Sequence, residues 1–185
     1  MSNSNQNVLA STFKGKVGKQ FVMKTMNGKS VIAIPPKKTT KPKTVNQVAH
    51  NNTFKEAIEY AKRSKLNPVL YQFYQSIRKP GQSAYTNAVS DFMKPAWITG
   101  IDTNKYKGEV GDNLRIFAGD NFRVVSVTVT INDPDGNLLE TGEAAIQDTS
   151  WDYTATVANA TVAGSTVDVL VYDQPGHPVT GSFIL

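Results

Sequence analysis

The feature that most constrains the fold is a strict alternation of apolar and polar residues in the second half of the chain. Residues 125–131 read VSVTVTI, residues 167–171 read VDVLV, and residues 151–157 place an apolar side chain at every second position. A period of two is that of a half-buried strand. Turn-forming segments separate these runs: DPDGN (133–137), AGS (163–165) and QPGHP (174–178). The pattern predicts an all-β antiparallel sandwich of about six to eight short strands over residues 96–185.

Residues 1–95 lack this alternation and predict an α+β module with a polar N-terminal arm. Two short β-prone runs flank Asn27-Gly28, and Asn-Gly is the strongest short signal for a tight hairpin turn. We therefore predict a β-hairpin with Asn27-Gly28 at its tip. Residues 35–43 follow with three prolines and four lysines, a composition typical of an extended basic linker.

Helix signals begin after this linker. Thr44 is a predicted N-cap, and Thr53 opens a capping-box pattern, so either one helix continues through Thr53 or a second helix begins there. Pro68 predicts a new helix start, Pro80-Gly81 a stop, and Ser83 the cap of a last helix. The sequence thus predicts two or three helices. The apolar residues expected on their packed faces include Val45, Val48, Phe54, Ala57, Ala61, Tyr71, Phe73, Tyr74 and Tyr85.

Charge is segregated along the chain, and the net charge of +5 conceals it. Residues 1–95 carry 16 Lys and Arg against three acids, a net charge of +13. Residues 96–185 carry four basic residues against 12 acids, a net charge of −8. Blocks of opposite charge favour nucleic-acid affinity in the basic half, attraction between the halves, or head-to-tail attraction between copies.

The second half resembles the immunoglobulin-like modules that are common in bacterial surface and phage proteins. The resemblance lies in the strand 124–131, the turn DPDGN, the strand 151–157, and the segment VDVLVYD with its PGHP turn. It implies an immunoglobulin-like sandwich, and a shared fold says little of function.

The first half resembles an uncharacterised family found in Bacteroidota and their phages. The residues that carry the resemblance are GKVG (15–18), the hairpin that ends near GKSVI (28–32), and TVNQ (44–47) leading into the helix with Phe54. That family has no assigned chemistry, so the resemblance implies no catalytic residues here.

The strongest candidate site is a set of lysines expected to contact a polyanion or another subunit. Lysines on an extended backbone contact phosphates without reading bases, although the same residues also suit a solubilising linker. Gly15 and Gly18 lie among them, but the phosphate-loop pattern is absent. The candidate residues are Lys14, Lys16, Lys19, Lys37, Lys38, Lys41 and Lys43.

Other polar residues give weaker signals. His50 and His177 lie far apart in sequence and outside any catalytic pattern of Ser, Asp or Glu, so we expect neither to be catalytic. Asp133, Asp135 and Asn137 offer alternate oxygens, but strands flank them and the glutamate of a calcium loop is missing. We expect an ordinary Asp-rich hairpin turn, no metal site and no cofactor.

The remaining composition narrows the class of protein. With no cysteine, the chain has neither disulfides nor thiolate chemistry. The N-terminus lacks the charged start and apolar run of a secretion signal, and no stretch has the length of a membrane span. We expect cytoplasmic synthesis without a signal peptide, followed by incorporation into a virion or phage-like particle if the chain is an assembly subunit.

Three hypotheses of function follow, and none of them is an enzyme. The first is a structural protein that self-associates as a homo-oligomer, or joins other subunits, in a phage or phage-like particle or another large assembly. The second is a basic protein that associates with nucleic acid through residues 14–65. The third is a surface- or carbohydrate-binding module with the loops of the sandwich as its site. Exposure of Trp97 or Trp151 would favour it, although Trp151 is expected in the core.

Overall fold

The structure is a computed structural model that describes residues 14–26, 29–35, 37 and 40–185. Across these residues the chain is α+β and mostly β, with three helices and eleven strands in three antiparallel sheets. The helices are α1 (Val45–Leu66), α2 (Pro68–Ser76) and α3 (Ala84–Phe92). The strands are β1 (Gly15–Val17), β2 (Phe21–Met26), β3 (Lys29–Ala33), β4 (Trp97–Asp102), β5 (Asn113–Gly119), β6 (Val124–Asn132), β7 (Leu138–Glu143), β8 (Ala145–Gln147), β9 (Ser150–Thr154), β10 (Thr166–Asp173) and β11 (Pro178–Ile184).

The first sheet is a three-stranded meander in the order β1-β2-β3, which we call the small sheet. Strands β2 and β3 pair antiparallel up to Met26 and Lys29, in keeping with the predicted hairpin. The predicted tip at Asn27-Gly28 lies outside the described residues. The sequence analysis missed β1, which pairs with β2 across a turn where Gly18 has φ of 57°.

Helix α1 is a single helix, which resolves the alternative that the sequence left open. The Thr44 hydroxyl oxygen accepts a bond from the Gln47 amide at 3.3 Å, and Gln47 Oε1 accepts one from the Thr44 amide at 3.0 Å. These reciprocal bonds form the capping box at the true start of α1. Thr53 lies inside the helix, where its hydroxyl donates to the Ala49 carbonyl at 3.2 Å.

The two shorter helices begin at the predicted residues. Asn67 Oδ1 accepts bonds from the amides of Val69 and Leu70, directly after the end of α1, and Pro68 occupies the first turn of α2. Ser83 Oγ accepts a bond from the Thr86 amide at 3.1 Å and caps α3. Each side chain satisfies amides that have no partner within the helix.

The helices pack through a small core that is poor in large aliphatic side chains. Its buried residues are Ala61, Tyr74, Ala84 and Ala88. Alanines at the contacts let the helix backbones approach closely, and Tyr74 fills the centre. Phe73 packs against this core, but the expectation that Tyr71 and Tyr85 belong to it is wrong, because both are exposed. Val45, Val48 and Phe54 are exposed as well.

The two remaining sheets each have four strands, in the orders β11-β10-β6-β7 and β4-β5-β9-β8. Residues from both sheets line one hydrophobic core, so the sheets face each other across it. The alternation in β6 directs Val127, Val129 and Ile131 into that core and leaves the threonines between them partly exposed. Trp151 is buried, as expected.

Few residues separate the helices from the paired sheets. Helix α3 ends at Phe92, strand β4 begins at Trp97, and Ala96 between them is buried in the core of the paired sheets. Within the described ranges, none of the three helices combines the length and hydrophobicity that crossing a bilayer requires.

Candidate contact surfaces and a buried polar cluster

The lysines predicted to contact a partner lie on the surface in two groups. Lys14, Lys16 and Lys19 lie before β1, within it and in the turn that follows it, and all three are exposed. The second group, Lys37, Lys41 and Lys43, is exposed in the linker, which has no helix or strand among its described residues. Lys38 lies outside the described residues. The structure therefore leaves the lysine side chains of both groups accessible.

The small sheet has two faces of different chemistry. Cross-strand neighbours share a face, and successive residues alternate between faces. The pairs Lys16–Val22 and Lys24–Val31 place two lysines on one face. The opposite face carries the apolar side chains of Val17, Phe21, Met23 and Ile32.

No layer of the described chain covers this apolar face. Val17 is 44% exposed and Ile32 is 62% exposed. No described residue of the small sheet belongs to either hydrophobic core, and the first buried residue along the described chain is Ala57. A sheet that is apolar on one face usually buries that face against another element. The described residues supply no such second layer for the small sheet.

The helices join the paired sheets through a buried polar cluster that the sequence analysis missed. Asp91 of α3 is completely buried, and its Oδ2 accepts a bond from the Tyr74 hydroxyl at 2.5 Å. The Tyr60 and Tyr74 hydroxyl oxygens lie 2.8 Å apart, and the Tyr60 hydroxyl donates at 3.5 Å to the carbonyl of Gln174 in the β10–β11 turn. Phe122, between β5 and β6, lies edge-on to Tyr74, with ring centroids 6.4 Å apart.

Burial sets the electrostatics of this cluster. Burial raises the pKa of Asp91 to about 7, the hydrogen bond from Tyr74 opposes the rise, and the carboxylates of Asp120 and Asp173 add to it. Burial also raises the pKa of Tyr74, and the bond to Asp91 raises it further. Asp91 Oδ1 is buried without a hydrogen-bond partner in the described chain. Because the Asp91 carboxyl has no exposed surface, a substrate cannot reach it, and we assign it to the helix–sheet junction.

His177, which the sequence placed in a plain turn, takes part in the same junction. Its Nδ1 lies 2.9 Å from Asp173 Oδ2, and Asp173 Oδ1 accepts bonds from the amides of Gly176 and His177. Phe92 lies edge-on to the imidazole, with ring centroids 4.5 Å apart. The pair resembles the base and orienting group of a catalytic triad, but sequence spacing alone did not reveal it. The Asp173 side chain is buried, and its bonds to the backbone shape the β10–β11 turn.

The Asp-rich turn between β6 and β7 uses its oxygens internally. Asp133 Oδ1 accepts the Asn137 amide at 2.7 Å, and Asp133 Oδ2 accepts Asn137 Nδ2 at 2.9 Å. These bonds lower the pKa of Asp133. In the described part of the chain, no three His, Cys, Asp or Glu side chains lie close enough to hold a metal ion.

Two exposed aromatic residues lie on the outer face of the sheet β4-β5-β9-β8. Trp97 is 45% exposed and pairs across the strands with Gly119, which has no side chain to separate the indole from the backbone. Phe117, two residues before Gly119 on the same face of β5, is 41% exposed. Arg115 lies farther along that face and makes two bonds to Asp152, at 2.9 and 3.1 Å.

A cleft of about 520 Å³ opens at one end of the paired sheets. Residues of β5, β6 and the β8–β9 hairpin line it, with Trp151 among them. Val125 and Ile146 in its walls are 45% and 65% exposed. Asp148 in the β8–β9 turn, with φ of 49°, is exposed beside it.

Comparison with known proteins identifies no family for this chain and finds a weak structural similarity. No protein-family model matches the chain, and no curated protein matches it. Among solved structures, the chain is similar to CopC from Methylosinus trichosporium OB3b, with 18% sequence identity and a TM-score of 0.36. The match covers 48% of this chain and 88% of that one. Interpretation of the surfaces therefore depends on the residues of this chain.

Proposed function

We propose that the chain is a non-enzymatic structural protein, a self-associating subunit of a phage or phage-like particle or of another large assembly. The observation that carries the proposal is the small sheet, whose apolar face has no covering layer in the described chain. Exposed apolar patches of this kind mark contacts with other proteins. In this account the paired sheets form an immunoglobulin-like sandwich that makes lateral contacts.

Charge segregation supports contact between unlike regions of neighbouring copies. The small sheet lies in the half that carries +13, and the paired sheets lie in the half that carries −8. Attraction between unlike blocks speeds encounter and sets orientation more than it adds affinity. A heterologous contact of this type builds rings or filaments.

The test is the molar mass of the full chain in solution, measured by size-exclusion chromatography with light scattering at low and at high salt. We expect oligomers in dilute buffer and smaller species at high salt, because salt screens attraction between exposed charges. A monomer under both conditions contradicts the proposal.

A second candidate function, nucleic-acid association, is favoured by the exposure of the lysine face. With the apolar face turned to a protein partner, Lys16 and Lys24 on the opposite face of the small sheet remain free to meet phosphates. Such binding weakens steeply with salt and is indifferent to base sequence. A gel shift with DNA and RNA duplexes in dilute buffer tests it, and the absence of any complex removes it.

A third candidate function, binding to a carbohydrate or another surface, is favoured by Trp97 and Phe117. Two exposed aromatic residues on one sheet face offer apolar area for stacking, and Arg115 and Asp152 offer polar partners on that face. A pull-down with insoluble polysaccharides compares the native chain with Trp97→Ala. Equal retention of the two proteins removes this candidate.

A further inference from the structure

The cleft lies where the core of the paired sheets is left open. Cross-strand pairing of β5 with β9 runs from Asn113–Thr154 to Ile116–Trp151 and goes no further, because the chain turns from β8 into β9 at this level. The last residues of β5, through Gly119, therefore extend past their neighbour on that side. The two sheets have no closing strand at this end.

Two apolar side chains are exposed in the walls of the cleft. Ile146 pairs across the strands with the buried Trp151, so it lies on the inner side of its sheet, yet it is 65% exposed. Val125 lies where the pairing of β6 with β10 shifts by one residue, so Val124 pairs with the buried Asp173 and packs against the core. Val125 itself is 45% exposed at the cleft. The cleft therefore offers uncovered apolar surface beside the core.

We infer that this cleft receives the apolar face of the small sheet from a second copy of the chain, an inference that rests on the proposed self-association. Each surface supplies what the other lacks. On the small sheet, Ile32 and its apolar neighbours have no described core to pack against. In the cleft, Val125 and Ile146 have no described strand that covers them.

The charges at the margins of the two surfaces are complementary. Lys19 lies in the β1–β2 turn, two residues before Phe21 of the apolar face, and is exposed. At the cleft, Asp148 is exposed on the β8–β9 turn. The cation at the cleft, Arg123, lies over the ring of Phe73 with its guanidinium carbon 5.9 Å from the ring centroid, so it is oriented towards the helices.

The contact is heterologous, since it joins two different surfaces, and this property gives a sharp test. Ile32→Glu disables the small sheet and leaves the cleft intact, whereas Ile146→Lys disables the cleft and leaves the small sheet intact. Both positions are well exposed, so the single chain is expected to fold in each variant. Val69→Glu and Leu138→Lys are matched controls, since both residues are exposed outside these surfaces.

Light scattering on the full-length chains at low salt is the readout. We expect each disabled variant alone to be monomeric, the controls to associate like the native chain, and an equimolar mixture of the two disabled variants to form dimers only. In that mixture one intact sheet meets one intact cleft, and no further copy can be added.

Each other outcome overturns the assignment of the cleft. If Ile146→Lys associates like the native chain while Ile32→Glu is monomeric, the small sheet meets another surface, such as its own face in a second copy, and self-association stands. If both variants are monomeric and their mixture stays monomeric, the two surfaces do not meet. If the native chain itself is monomeric, the proposed function fails with the inference.

Discussion

The small sheet and the paired sheets are built from similar strands but differ in what covers them. In the paired sheets, the inner residues of one sheet meet those of the other, and side chains such as Ile116 and Val129 are fully buried. The strands of the small sheet lack this strict alternation, and their pairing places Val17, Phe21, Met23 and Ile32 on a face that no described layer covers. Strand pairing therefore gives a sheet an apolar face and does not specify where its second layer comes from.

The two regions also differ in the free energy that they gain from burying apolar side chains. Full burial of a large aliphatic side chain contributes about 1.5–3 kcal/mol. The paired sheets gain this contribution within one chain. In the proposed assembly, the small sheet gains it only when a partner binds, so we expect its folding and its binding to be coupled.

The largest expected effect is a difference in the free energy of unfolding when one isoleucine of each region is replaced by alanine. We expect Ile116→Ala to lower the free energy of unfolding by about 2–5 kcal/mol, because it leaves a cavity in a closed core. For Ile32→Ala in dilute solution at high salt, we expect a change within about 0.5 kcal/mol, because the side chain is already in water. Urea titrations followed by circular dichroism measure both values. Equal losses would contradict the idea that the small sheet lacks cover.

The next prediction concerns Asp91, whose buried carboxyl has no counterpart in the small sheet. Its pKa rises from 3.8 to about 7 on folding, so the folded chain holds a proton that the unfolded chain releases between these values. Stability from this group is complete near pH 4 and is lost as the pH rises through about 7. We expect a loss of roughly 2–4 kcal/mol across that window.

Asp91→Asn tests this prediction, because an asparagine side chain does not titrate and its oxygen still accepts the bond from Tyr74. We expect the variant to show a flatter stability profile between pH 4 and pH 8 and to be more stable than the native chain at pH 8. Denaturant melts at several pH values give the profile. Asp135→Asn, at an exposed turn residue, is the control and is expected to follow the native profile. A profile of Asp91→Asn parallel to that of the native chain would refute the account of the junction.

A smaller effect is expected at Glu140 of β7, a buried carboxylate within the paired sheets. Its Oε2 accepts bonds from the Tyr153 hydroxyl, the Thr156 amide and hydroxyl, and the Val157 amide. We expect Glu140→Met to cost about 1–3 kcal/mol, because these donors lose their acceptor. The exposed Glu143 on the same strand is the matched position, and Glu143→Gln is expected to stay within about 0.5 kcal/mol. Thermal melts compare the two, and a native-like Glu140→Met would show that the network contributes little.

The smallest effect compares two threonines of α1. We expect Thr44→Ala to destabilise the first turn of α1 by about 1 kcal/mol, because Thr44 accepts the Gln47 amide. Thr53→Ala is expected to be neutral or slightly stabilising, because Thr53 lies inside the helix, where alanine is preferred. Hydrogen exchange of the amides in the first turn of α1 measures the difference. Equal exchange in both variants would show that the cap has no effect.

Local signals in the sequence predicted most of the helices and strands. The predictions that were wrong or missing concern features that depend on tertiary contacts. Asn67, Pro68 and Ser83 fixed the helix boundaries because caps and proline act within one turn. The sequence did not predict strand β1, because three residues with a central lysine carry no periodic signal. Tyr71 and Tyr85 were placed in a core because helical spacing identifies an apolar face without showing whether anything packs against it.

The candidate surfaces were predicted only in part. Counting charges indicated the lysines of the basic half, and the structure leaves Lys14, Lys16 and Lys19 exposed. The junction of Asp91 with Tyr74 and the pairing of His177 with Asp173 were missed, since the loops that bring α3 to the β10–β11 turn are not encoded in spacing. The cleft depends on where β9 stops pairing with β5, which no local pattern records.

The most direct measurement of the central claim is amide hydrogen exchange of the native chain at increasing protein concentration. If the small sheet gains its second layer from another copy, exchange of the amides in β2 slows as the concentration rises, while exchange in β6 stays constant. Exchange in β2 that is the same at every concentration, in a protein shown to associate over that range, would contradict the account.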